Sequence, residues 1–192
     1  MNIQQIIILV TFVLPTCLQA MDKTGTSQKS LNEQFIKAAK SGSLNAVSEL
    51  LTKGAQINTQ DTDRNTALIW AAFFGHNDVV RLLIQRKVDL NIRGDQGLTA
   101  LHWAAMNNHV SIFNALMAAQ ADPTLRNNFG ATTLILAALN GCTDCVIALI
   151  NTALTKEGID LNAQDSNGFT ALQWALKNKH ADIANVLKEA GA

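Results

Sequence analysis

The 192-residue sequence has no tyrosine, only two prolines (Pro15 and Pro123) and three cysteines. Such scarcity excludes proline-rich and collagen-like chains and a disulfide-dense scaffold. Charge is also sparse: 15 Lys+Arg balance 15 Asp+Glu, and charged residues make up 16% of the chain. Without a basic excess there is no electrostatic footprint for nucleic acid, and no nucleic-acid partner is expected. Gly-x-Ser-x-Gly and phosphate-cradling glycine loops are missing too, so neither catalytic residues nor a cofactor is expected. What is present is apolar material, 48% of the residues, enough for one core or a short repeat array.

The first twenty residues carry no charged side chain, and Ile3 to Leu14 form an apolar run broken only by Gln4, Gln5 and Thr11. The run is shorter than the roughly 20 residues a transmembrane helix needs. It reads as the core of a secretory signal, residues 1–20, closed by Pro15 and the small Ala20 and followed by a polar linker, residues 21–29. Two features depart from that pattern: no Lys or Arg precedes the run, and Leu18 is large for its place before the cut. A secreted or periplasmic chain is expected, with no membrane-spanning segment after signal removal. An uncleaved N-terminal anchor and a lipid on Cys17 are the alternatives.

From Ser30 to Ala192 the chain repeats. Thr66 and Leu68, Thr99 and Leu101, Thr132 and Leu134, and Thr170 and Leu172 mark the same place in successive units. Each pair leads into small residues such as Ala71-Ala72, Ala104-Ala105 and Ala137-Ala138, then a break, then a second apolar-periodic run such as Val79, Val80, Leu82 and Leu83. Each unit is therefore a turn, a helix, a short connection and a second helix. The expected fold is all-α, with units at about 30–60, 61–93, 94–126, 127–164 and 165–192. The fourth unit is longer than its neighbours, and its extra residues fall within 151–158.

The segments TALIWAAFFGHNDVVRLL, TALHWAAMNNHVSIFNAL, TTLILAALNGCTDCVIAL and TALQWALKNKHADIANVL closely resemble the ankyrin repeat, with its Thr-Pro-Leu-His-x-Ala-Ala opening and later Gly-His and Val-x-x-Leu-Leu. An earlier unit, FIKAAKSGSLNAVSELLTKGAQIN, lacks the opening and keeps the later spacing. The resemblance implies a solenoid of helix-turn-helix units joined by hairpin-like turns, which binds a protein partner, unidentified here, through its concave face and hairpin tips. A monomer without catalytic activity is expected. A structural or protective role, stabilising or neutralising a periplasmic enzyme or toxin, is the alternative.

Departures from the pattern carry information. The family's proline is replaced by Ala67, Ala100, Thr133 and Ala171, and its glycines by Arg64, Lys87 and Gln120. If those three keep a left-handed backbone, each costs about 1 to 2 kcal/mol, so the second and third repeats are expected to be locally weaker.

Three residue sets invite a chemical reading. Cys142 and Cys145 form a Cys-x-x-Cys pair, for which a thiol-redox function is the enzyme-class alternative. Both also occupy ordinary repeat positions, and the sequence is as compatible with a free dithiol as with a bridge. His76, His109 and His180 recur at the same repeat position, one repeat or more apart, so they do not converge on a metal, and His102 is expected to bond a neighbouring hairpin backbone. Trp70, Trp103 and Trp174 share one register and are expected to pack between units.

Apolar residues at positions that the repeat leaves free are more informative. On the first helix these are Phe73, Phe74, Met106 and Leu139; near the hairpin tips they are Leu98, Phe129 and Phe169. Set side by side on the concave face, they are expected to form the partner-binding stripe.

Overall fold

A computed structural model describes residues 27–155 and 158–192. The signal-like segment 1–20, Cys17 included, lies outside the described residues, as do 21–26 of the linker and 156–157 of the longer fourth unit. Among the described residues the chain forms ten α-helices: α1 (27–40), α2 (Leu44–Thr52), α3 (Ala67–Phe74), α4 (Asn77–Gln85), α5 (Ala100–Met106), α6 (Val110–Ala118), α7 (Thr133–Asn140), α8 (Thr143–Thr155), α9 (Ala171–Lys177) and α10 (Ala181–Glu189). Extended pairing among them is limited to two isolated antiparallel bridges, Gln60 with Thr66 and Arg126 with Thr132. The architecture is an all-α repeat solenoid.

Helices alternate between two rows. In the inner row α3 packs on α5, α5 on α7 and α7 on α9; in the outer row α2 meets α4, α4 meets α6, α6 meets α8 and α8 meets α10. Alanines 71, 72, 104, 105, 137 and 138 are fully buried in the inner row, where only a methyl group lets helices approach so closely. Leu83, Phe113, Leu116, Leu149 and Leu187 fill the space behind them, also fully buried. Each large apolar side chain contributes about 1.5–3 kcal/mol by leaving water. No single unit could bury these faces alone, so stability comes from neighbour contacts.

Each recurring threonine caps its helix. Thr66, Thr99, Thr132 and Thr170 have extended backbones, and their hydroxyls accept from the amides of Ile69, His102, Ile135 and Gln173 at 3.2, 3.4, 3.4 and 3.3 Å. Such a cap is worth about 1 kcal/mol. Hairpins are tied by a side-chain oxygen at their base: Asp61, Asn127 and Asp165 each accept two backbone amides through Oδ1. In the third unit Gly94 stands at that place, and Asn65 Oδ1 reaches across to the Asp95 amide at 3.1 Å. A Cβ on residue 94 would lie 2.1 Å from that oxygen, so a larger residue would displace the Asn65 side chain from this bond. At the opposite end an asparagine ladder joins units, with Asn32, Asn58 and Asn91 accepting from the amides of Gln56, Asp89 and Asp122 at 2.9–3.0 Å.

Arg64, Lys87 and Gln120 do adopt left-handed backbones, at φ 63°, 57° and 70°. Gln96, Asn108 and Lys179 join them at 52°, 57° and 63°. Five of these six residues fall in the second and third repeats, whereas the fourth uses glycine at 130, 141 and 158. One detail differs from the sequence reading. Residues 27–29, placed in the linker, belong to α1, where Gln28 donates to Asn32 and to the Gly54 carbonyl. The extra length of the fourth unit extends α8 to 13 residues, against nine in α2, α4, α6 and α10.

Candidate interaction face

The inner-row helices bring one register position from each unit into line: Lys40, Phe73, Met106, Leu139 and Lys177. Phe73, Met106 and Leu139 are half-buried; Met106 and Leu139 rest on the core, whereas Phe73 packs among neighbouring aromatic rings. The aromatic residues gather at the second and third units. Phe73 meets Trp103, Phe74 and Trp70 edge-on at centroid distances of 4.7, 4.8 and 5.7 Å, and Phe74 stacks on Trp70 at 5.8 Å. Phe74 remains 48% exposed. Isolated exposed aromatics are ordinary, but a contiguous group of four rings at one end of a helix row is not.

Polar groups fix this cluster. The Trp70 indole N–H donates to Asp61 Oδ2 at 2.7 Å, and Lys40 Nζ lies 3.2 Å from the same oxygen and 3.9 Å above the Trp70 ring. Partial burial pushes the Asp61 carboxyl upward. The Trp70 indole, the Asn65 amide and Lys40 outweigh that push and hold it below its ordinary value. The last unit repeats the motif: Trp174 donates to Asp165 Oδ2 at 2.8 Å, Phe169 lies 5.0 Å from Trp174, and Lys177 sits 4.6–4.7 Å above both rings. An aspartate nine residues before a tryptophan marks both constellations, a signal that lies in the sequence outside the free positions of the repeat. Trp70 and Trp174 are half-buried and hydrogen-bonded to the hairpins of their own units, whereas Trp103 packs on Phe73 of the preceding unit, between units as expected.

Phe73, Phe74, Met106 and Leu139 share the inner face, and Phe129, 56% exposed, projects from its hairpin tip. Leu98 is a correction: it is 2% exposed and belongs to the core. The residue just before the capping threonine faces the next unit's hairpin, and Asn65 and Ala131 at that register are buried as well. Phe169 occupies the same position in the last unit, where no further hairpin follows among the described residues, and is only half-buried.

The histidines are structural. Through Nε2, His76, His109 and His180 bond the carbonyls of Lys40, Phe73 and Leu139 in the preceding unit, at 3.0, 3.2 and 3.3 Å. His102 is fully buried; Nδ1 accepts the Thr99 amide and Nε2 donates to the Leu125 carbonyl, both at 3.0 Å. Burial lowers its pKa from 6.5 to about 4, against the pull of the Leu125 bond and with help from Arg93. Cys142 takes the place of these histidines at the start of α8 and is joined to Cys145 by a disulfide, with both residues fully buried. Among the described residues no three His, Cys, Asp or Glu side chains come together in a metal-binding group, and no helix is long and apolar enough to cross a membrane.

Capped helix pairs, tied hairpins and an open inner row define the class as a repeat solenoid of the protein-interaction type. The sequence matches the family model for ankyrin repeats (3 copies) over residues 35–127 and 114–192, and the chain belongs to the ankyrin-repeat family. No curated protein matches the chain.

Proposed function

We propose that the chain is a non-catalytic module that binds a protein partner across its inner helix face, with Phe74 and Phe129 as exposed anchors and Phe73, Met106, Leu139 and Phe169 as the surface between and beside them. One observation carries this reading: the Trp70, Phe73, Phe74 and Trp103 cluster, which leaves Phe74 half in solvent. The fold does not need it, since Met106 with Asn107 and Leu139 with Asn140 occupy the equivalent places of Phe73 and Phe74. Aromatic anchors of this kind dominate interface energies.

The chain works outside the cytosol on this reading. Disulfides persist in oxidising compartments, and the Cys142–Cys145 bridge accords with the signal-like residues 1–20. A thiol-redox role would require a sulfur open to attack, and both cysteines are at zero exposure. The test is affinity capture from the producing cells with the native chain and with Phe74→Ser. A protein retained by the first and lost by the second, at equal melting temperature, supports the reading; equal retention refutes it.

A further inference from the structure

Beside the aromatic cluster, α1 and the first hairpin enclose a cleft of about 850 Å³. Its lining includes Lys29, Ile36, Lys37 and Lys40 from α1 and Gln60 and Asp61 from the hairpin. Ile36 supplies an apolar element, and the two polar residues that tie the cleft to the inner face are already engaged with each other and with Trp70. The Asp61 carboxylate is saturated: it accepts the Trp70 indole and the amides of Asp63 and Asn65, and pairs with Lys40. Lys29 and Lys37 are exposed. Among the described residues the ion pairs are Lys40–Asp61 and Lys53–Glu49, so neither exposed lysine is neutralised by a contact. Glu33 is the one further carboxylate lining the cleft.

The cleft therefore offers two ammonium groups and side-chain amides beside an apolar residue, and it opens toward an aromatic surface. A cation pair of this kind seeks carboxylates, and lysine on a flexible stem adapts to them without fixed geometry. We propose that the cleft receives the acidic end of a partner protein segment, a short run of Asp or Glu, whose adjoining aromatic or aliphatic residues lie on the Trp70, Phe73 and Phe74 surface. This proposal rests on the inner face being a protein-binding surface. It adds a polarity: the acidic residues sit at the α1 end and the apolar ones toward α5.

A phage-displayed library of random linear peptides, selected on the immobilised full chain, on a Lys29→Glu/Lys37→Glu variant and on Phe74→Ser, tests it. The double variant leaves the Lys40–Asp61 pair and the Trp70 contacts in place. The expected result is enrichment of acidic residues next to an aromatic or aliphatic one on the native chain, and of basic residues in their place on the double variant. A peptide selected on the native chain should bind the double variant at least tenfold more weakly, at equal melting temperature, and should lose affinity as salt rises. Apolar sequences without acidic preference, or the same sequences on native chain and double variant, overturn the cleft proposal while leaving the binding face standing. If selection fails, or is unaffected by Phe74→Ser, the binding face itself is refuted and the cleft proposal with it.

Discussion

The second and third repeats differ from the fourth in what they do with the same scaffold. The former carry four clustered aromatic rings, a buried neutral histidine and five non-glycine residues in left-handed backbone. The latter has leucine in the tryptophan position, glycine at its left-handed positions, a buried disulfide and the longest outer helix. In a stack held together by neighbour contacts, surface chemistry and local strength can be distributed to different units. Here the aromatic surface lies on the strained units and the reinforcement lies beside them.

The sharpest expected difference between the regions depends on pH. Below 6.5 the unfolded chain takes up a proton on His102, whereas the folded chain does not until about pH 4. The stability that neutral His102 preserves is fully present above pH 6.5 and is lost as pH falls toward 4. The loss amounts to about 3 kcal/mol across that window. Gln173 forms the same capping box in the last unit, accepting the Thr170 amide at 2.9 Å, so His102→Gln should fold and remove this fall. Denaturant titration of both proteins at several pH values is the check, and equal pH profiles would show that His102 does not control it.

Removing the bridge probes the other region. Cys142→Ser with Cys145→Val opens a short loop closed by a disulfide, and the expected cost is about 2 kcal/mol. Hydrogen exchange should place the loss at the start of α8, with α3 and α5 unaltered. A smaller change runs in the opposite direction. Lys87→Gly or Gln120→Gly should each gain about 1 kcal/mol, the relief of a left-handed side chain less the added freedom of the unfolded chain. A loss in either variant would remove strain as the mark of the second and third repeats. Least of all, Thr133→Val should gain up to about 1 kcal/mol, because the Thr133 hydroxyl is buried without a hydrogen-bond partner.

Much of this fold is written in the sequence because its signals are local and repeated. Thr-x-Leu predicts the caps, paired alanines the close inner row, and Arg64, Lys87 and Gln120 the left-handed turns. The site was less legible. Phe73, Phe74, Met106 and Leu139 fall on one face because helix register alone decides that. Leu98 was misplaced because its burial depends on the hairpin of the next unit, which no local pattern announces. The role of Lys40 was hidden for the same reason, since it meets Trp70 across 30 residues of chain, whereas Asp61 stands nine residues before Trp70 in the same unit, a spacing that the sequence does carry. The Cys142–Cys145 pairing needed the geometry of the α8 start.

The claim that the aromatic surface exists for a partner and not for the fold is tested most directly on Phe74. Phe74→Ser removes an exposed ring that stacks on Trp70 and is absent from the resolved core. Affinity for the captured partner and the melting temperature should be measured on the same preparation. The account predicts binding at least tenfold weaker, a loss of about 1.4 kcal/mol or more, with melting unchanged. A lower melting temperature with full affinity per folded molecule would contradict it.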